Sequence, residues 1–144
     1  MNNKLTVSCN IDTPIEKVWD YFTLPKHVIG WNFASDDWHC PTSNAELKIG
    51  GVFCHRMAAK DGSFAFDLDG FYTEIDEYSK LHYKLGSKDL TEHREVEVYF
   101  TKDGLMTRVE QHFTPENQNP LEMQQQGWQM ILNNFKKYCE NIAE

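Results

Sequence analysis

Positive charge is scarce in this chain. Its 144 residues hold 14 Lys and Arg against 22 Asp and Glu, a net charge of -8 at pH 7. The basic residues do not cluster among aromatics, which argues against a nucleic-acid surface. An anionic membrane would repel such a chain. No apolar run is long enough to span a bilayer, and no signal peptide is recognisable. Cysteines are few and scattered: Cys9, Cys40, Cys54 and Cys139 show no framework spacing. They read as reduced, mostly buried thiols of a cytoplasmic protein. Also missing are a Gly-x-Ser-x-Gly elbow, internal repeats, low-complexity tracts and an interdomain linker. The expectation is one domain over residues 1–144, a monomer or weak homodimer, burying roughly two-thirds of its unfolded surface.

Aromatic side chains, by contrast, are plentiful at 13% of residues. They suit either a dense core or a core with a cavity in it. The clearest organised segment is the last one. Asn119, Pro120 and Glu122 occupy the N-cap, N1 and N3 positions of a capping box. An apolar stripe follows at helical spacing through Leu121, Trp128, Ile131, Leu132, Phe135, Tyr138, Cys139 and Ile142. The pattern predicts a helix from about Pro120 to Ile142. Gln124 and Gln125 interrupt the stripe between Leu121 and Trp128, so one end of the buried face is amide-rich.

Upstream, Lys4 to Asn10 alternates as a strand. Thr13-Pro14-Ile15-Glu16 is a second capping box, with Val18, Trp19 and Phe22 behind it. Leu24-Pro25 ends that helix, and Lys26 to Trp31 holds a further turn or two. Asn32 to Ala45 reads as a long irregular loop carrying Trp38, the kind of connector that is usually functional. Strands are expected from Glu46 onward: Glu46–Ile49 up to a Gly50-Gly51 bend, then Val52–Ala59, the stretch from Phe64 to Tyr72, and the stretches around Leu81–Leu85, Arg94–Phe100 and Leu105–Phe113. An α+β protein follows. About six or seven antiparallel strands form a curved sheet, whose apolar face closes on the single long helix.

The segment Thr13-Pro14-Ile15-Glu16-Lys17-Val18-Trp19-Asp20 resembles the opening of the START-like (SRPBCC) superfamily. Pro25 to Trp31, Leu47-Lys48-Ile49-Gly50-Gly51-Val52-Phe53, Gly70 with Ile75, and Gly127-Trp128 to Leu132 follow in the same order. Together they resemble the branch named for the activator of the heat-shock chaperone ATPase. Trp31 to His39, Arg56-Met57 and Lys60-Asp61-Gly62-Ser63 are similar to one bacterial subgroup of it. The resemblance implies a helix-grip fold with a cavity between sheet and C-terminal helix. It implies no reaction, because the superfamily includes lipid carriers, hormone receptors and cyclases.

The residues themselves offer several chemistries. His39-Cys40 and Cys54-His55 are metal-ligand types, but neighbours on a strand point to opposite faces, so no metal is expected. Ser35, Asp36, Asp37 and His39 permit a catalytic story, yet such residues routinely satisfy local backbone groups. Strand parity turns Asp67 outward, and Arg94, His55 and Gln111 inward. With Gln124 and Gln125 these are polar groups on buried faces, which must be paired or hydrated. An internal hydrogen-bond network and a ligand pocket both meet that demand. The pocket reading is a module that binds a small, largely hydrophobic molecule with one polar end, without a cofactor. Trp31, Trp38 and Trp128 would wall its mouth, with His39 in the closing loop. Phe53, Met57, Phe66, Tyr83, Val96 and Val98 would line it. Arg94, His55, Gln111, Gln124 and Gln125 would hold the polar end. A cyclase- or hydrolase-like enzyme with His55 or His39 moving protons is the alternative, and a chaperone co-factor or other interaction module is the third reading.

Overall fold

The computed structural model describes residues 4–142. In chain order the elements are β1 (Leu5–Ile11), α1 (Ile15–Thr23), α2 (Pro25–Val28), β2 (Trp38–Ala45), β3 (Val52–Ala59), β4 (Ala65–Asp76), β5 (Lys80–Leu85), β6 (Arg94–Asp103), β7 (Met106–Phe113) and α3 (Leu121–Asn141). The seven strands form one antiparallel sheet in the order β1-β7-β6-β5-β4-β3-β2. It curls around α3 as a helix-grip fold. Alternation does the sorting. Val96, Val98 and Phe100 on β6 and Val109, Gln111 and Phe113 on β7 are buried, while the residues alternating with them are more open.

Coverage by the helices is uneven. The backbone of α3 approaches β1 and α1 closely, and α1 approaches β6 and β7. The densest core therefore lies there, around Val18, Leu132, Phe135 and Phe113, each at most 1% exposed. Phe135 meets Phe22 and Trp31 edge-on, with ring centroids 5.2 and 4.7 Å away. Strands β3 to β5 curve away from the helix.

A polar ladder locks α3 to the free edge of β1. Gln125 donates from Nε2 to the Thr6 carbonyl at 2.9 Å, and Gln129 donates to the Ser8 carbonyl at 3.0 Å. Lys136 donates to the Asn10 carbonyl at 2.7 Å, and Glu140 accepts from the Asp12 amide at 2.8 Å. Alternate residues of an edge strand thus find partners on one helix face. This covers an edge that would otherwise pair with another chain. It also explains Gln125, which is exposed and serves β1 rather than a cavity.

Several sequence expectations are corrected. The 32–45 stretch is not all loop: Trp38–Ala45 is the edge strand β2, disguised by Pro41, polar residues and a register shift between His39 and Thr42. Conversely, Glu46–Ile49 is a turn, not a strand. Lys48 donates to the Glu46 carbonyl at 2.8 Å, and Gly50 adopts the left-handed φ of +83° that glycine tolerates. Neither capping box forms. The helix-start residues are Pro14 and Pro120, without side-chain caps. Thr13 instead donates from its hydroxyl to the Cys139 carbonyl at 3.2 Å, tying the two helices. Asn119 donates from Nδ2 to the Glu116 carboxylate at 2.6 Å. Phe64 and Phe66 are 60% and 41% exposed, packing with Trp38 in a surface aromatic cluster.

Candidate ligand cavity

Where the sheet curves away from α3, a cavity of about 300 Å³ opens. Strand β3 contributes Phe53, His55 and Met57, β4 contributes Phe66, Leu68 and Tyr72, and β5 contributes Leu81, Tyr83 and Leu85. The helical side brings Phe22, Val28 and Trp31, and α3 brings Gln124, Trp128 and Ile131. Gly70 shapes this wall. A Cβ there would stand 2.7 Å from the Phe53 ring and 2.1 Å from the Lys84 carbonyl oxygen, so only glycine lets Phe53 lie across β4. Phe53 is the hub of the aromatic wall, with His55, Tyr72 and Tyr83 rings at 5.2, 5.2 and 5.1 Å.

The expected site residues fall into two groups. Trp31, Phe53, His55, Met57, Phe66, Tyr83, Arg94, Gln111, Gln124 and Trp128 all line the cavity. Trp38, His39, Val96, Val98 and Gln125 do not. Trp38 packs outside on Phe64 and Phe66, and His39 pairs with Ala58 at the far end of β2. Val96 and Val98 are 0% exposed within the packed half. Trp31 lines the cavity but does not guard a mouth. Its indole donates to the Tyr21 carbonyl at 2.8 Å and its ring stacks on Phe22, which fixes it as a wall. Trp128 lies on Phe113 at 3.9 Å and 5°, and divides the dense core from the cavity. Tyr72, Leu81 and Leu85 share inward parity with the expected Phe66 and Tyr83, but parity alone does not separate cavity wall from packed core, and the expected site omits them. Phe22 and Val28 come from helices whose reach no periodicity reveals.

The polar groups differ in how they are spent. Gln124 is fully engaged. Its amide donates to the Glu116 and Asn119 carbonyls at 3.0 and 2.8 Å, and its oxygen accepts from the Glu116 amide at 2.9 Å. It straps the 114–120 connector across the cavity. Arg94 is half-buried and donates from Nε to the Thr114 carbonyl at 3.0 Å. Burial pulls its pKa down and the nearby Glu116 carboxylate opposes that; a guanidinium stays charged regardless. Its two terminal nitrogens have no hydrogen-bond partner among the described residues. Gln111, 7% exposed, likewise has none for its amide. His55 takes its Nδ1 contact from Ser43 Oγ at 2.7 Å, and burial alone lowers its pKa to about 4. It is a neutral imidazole at pH 7.

Nucleophiles are poorly placed. Burial raises the thiol pKa of Cys9 to about 12 and of Cys40 to about 11. Such thiols are not thiolates at neutral pH. Ser35 donates to the Asp37 carboxylate on an exposed loop. Among the described residues no group of three His, Cys, Asp or Glu is arranged to hold a metal. No helix among them is long and apolar enough to cross a membrane.

A family model described as activator of Hsp90 ATPase homolog 1-like protein matches residues 12–140. The chain belongs to this family. Two relatives agree with it in fold and length. The solution NMR structure of an AHSA1-like protein from Aeromonas hydrophila is 37% identical, covers 97% of this chain and 99% of its own, and superposes with a TM-score of 0.82. A solution structure from Cytophaga hutchinsonii is 44% identical over 97% of this chain and 94% of its own, with a TM-score of 0.80. DynU16, from the dynemicin biosynthetic locus, matches 98% of this chain and 48% of its own at 13% identity and a TM-score of 0.73, which shows the fold alone. No curated protein matches.

Proposed function

We propose that this protein binds one small, largely apolar molecule carrying an acidic group, with the acid held by Arg94. One observation carries the reading. The apolar cavity contains a charged guanidinium, near the Glu116 carboxylate, whose terminal nitrogens have no hydrogen-bond partner among the described residues, together with the Gln111 carboxamide, which has none among them either. Polar groups on buried surfaces are costly unless they meet water or a ligand. A planar cation that cannot give up its charge favours a carboxylate or similar oxyanion. A volume of about 300 Å³ is at the lower end of ligand sites, which restricts the class to small molecules. The acidic surface fits a cytoplasmic role away from nucleic acid and anionic membrane.

His55 is the residue on which an enzyme reading would depend. Its pKa is shifted, but by burial alone and without a carboxylate to orient it. That suits a neutral hydrogen-bonding group better than a proton shuttle at pH 7.

Two fluorophores test the proposal. Anilinonaphthalene sulfonate carries an anion, and N-phenylnaphthylamine has the same rings without it. Both should bind the native protein. Arg94→Met should weaken the sulfonate by about tenfold or more, as expected for losing a charge-assisted hydrogen bond, and leave the neutral dye unchanged. Equal effects on both dyes, or no binding of either, would overturn the reading. A thermal melt shows that the variant is folded.

A further inference from the structure

The cavity holds a second set of unspent polar atoms. Tyr72 on β4 and Tyr83 on β5 are direct register partners, with ring centroids 6.2 Å apart. Both line the cavity, and Tyr72 is only 5% exposed. Neither hydroxyl has a hydrogen-bond partner among the described residues. Yet among those residues no side-chain oxygen or nitrogen is sealed from all space without a partner. Both hydroxyl oxygens therefore reach open space, and both residues line the cavity. Burial raises both phenol pKa values, that of Tyr72 to about 12, so both remain protonated donors.

Position gives the subsite its chemistry. Arg94 pairs with Leu85, and Tyr83 pairs with Val96, two residues further along each strand. The phenols thus stand one inward step from the arginine, with no cation of their own. Phe53, against both rings, keeps the surroundings apolar. A pair of protonated hydroxyls in such a setting suits an uncharged acceptor, because a second anion would lack a counter-charge.

We infer that Tyr72 and Tyr83 form a second polar subsite that takes a neutral acceptor oxygen of the ligand, of the carbonyl or ether kind. This depends on the cavity binding ligands as proposed above, and it narrows the class: an apolar acid that also bears an uncharged oxygen close to the acid.

Displacement of N-phenylnaphthylamine by benzophenone and by diphenylmethane tests it, since a carbonyl in the first stands where the second has a methylene. The native protein should prefer benzophenone by about fivefold, the worth of one neutral hydrogen bond. The Tyr72→Phe, Tyr83→Phe double variant should lose that preference and keep its hold on diphenylmethane. Each single variant should melt at or above the native temperature, because no protein partner is lost. Equal displacement by both compounds in the native protein would mean that water alone satisfies the hydroxyls, and overturns the subsite while the cavity stands. A preference that survives in the double variant also overturns it, as does a lowered melting temperature in the single variants, which would reveal a structural partner. Failure of the dye itself to bind removes the cavity reading and this inference together.

Discussion

Val96 and Tyr83 face each other across β6 and β5, and both point inward. Val96 is 0% exposed in a dense core, whereas Tyr83 lines a cavity, its hydroxyl without a partner among the described residues. The alternation that turned them inward is the same. What differs is the element above. Over β1, β7 and β6 the helices come close, and side chains fill the gap to the density of a protein interior. Over β5, β4 and β3 the sheet curls away, and large rings stand around a space rather than in contact with a helix. Parity says which residues face in; it does not say whether anything meets them.

That contrast can be broken in stability measurements. The largest effect is expected at Phe135, 0% exposed and wedged against Phe22 and Trp31. Phe135→Ala should cost about 3–5 kcal/mol in urea unfolding. Leu68→Ala, in the cavity wall, should cost well under half of that, since it enlarges a space already present. Comparable losses at both positions would erase the distinction.

The next effect belongs to His55. In the unfolded chain its imidazole takes up a proton near pH 6.5, but burial holds it neutral in the folded protein until about pH 4. Its contribution is complete above pH 6.5 and is lost as pH falls towards 4. The loss amounts to about 3 kcal/mol. Stability followed from pH 7 to 4 should fall less steeply in His55→Leu than in the native protein. Parallel pH profiles would place this histidine in water and the wall of the cavity with it.

Smaller effects are expected from the polar ties of the packed half. Thr13→Ala and Gln129→Ala should each cost about 1 kcal/mol, by removing hydrogen bonds from α3 to the rest of the chain. Asn119→Ala should cost less, because its partner is the exposed Glu116 carboxylate on the same connector. A larger loss at Asn119 than at Thr13 would restore the capping reading of the helix starts.

The fold was largely legible in the sequence. The stripe through Trp128, Leu132 and Phe135 marks α3, and strands β3 and β5–β7 lie where alternation puts them. β2 was not legible because an edge strand with Pro41 carries no apolar alternation. Thr13 and Asn119 look like caps because sequence spacing cannot see the tertiary partners that claim them. Within the site, inward parity located Arg94, Gln111 and Tyr83. It misassigned Gln125, whose amide serves the open edge of β1, a need that appears only when the strand order is known. Val96 and Val98 were misassigned because the closeness of α1 and α3 depends on the curvature of the whole sheet.

Amide and indole NMR shifts on titration with anilinonaphthalene sulfonate test the division of the molecule most directly. The expected result is perturbation of Phe53, His55, Tyr72, Tyr83 and Arg94 amides and the Trp128 indole, with Val109, Leu132 and Phe135 unmoved. Shifts confined to Trp38 and Phe64 on the outer surface, or no shifts at the cavity wall, would contradict the claim that the uncovered half of the sheet is a binding site.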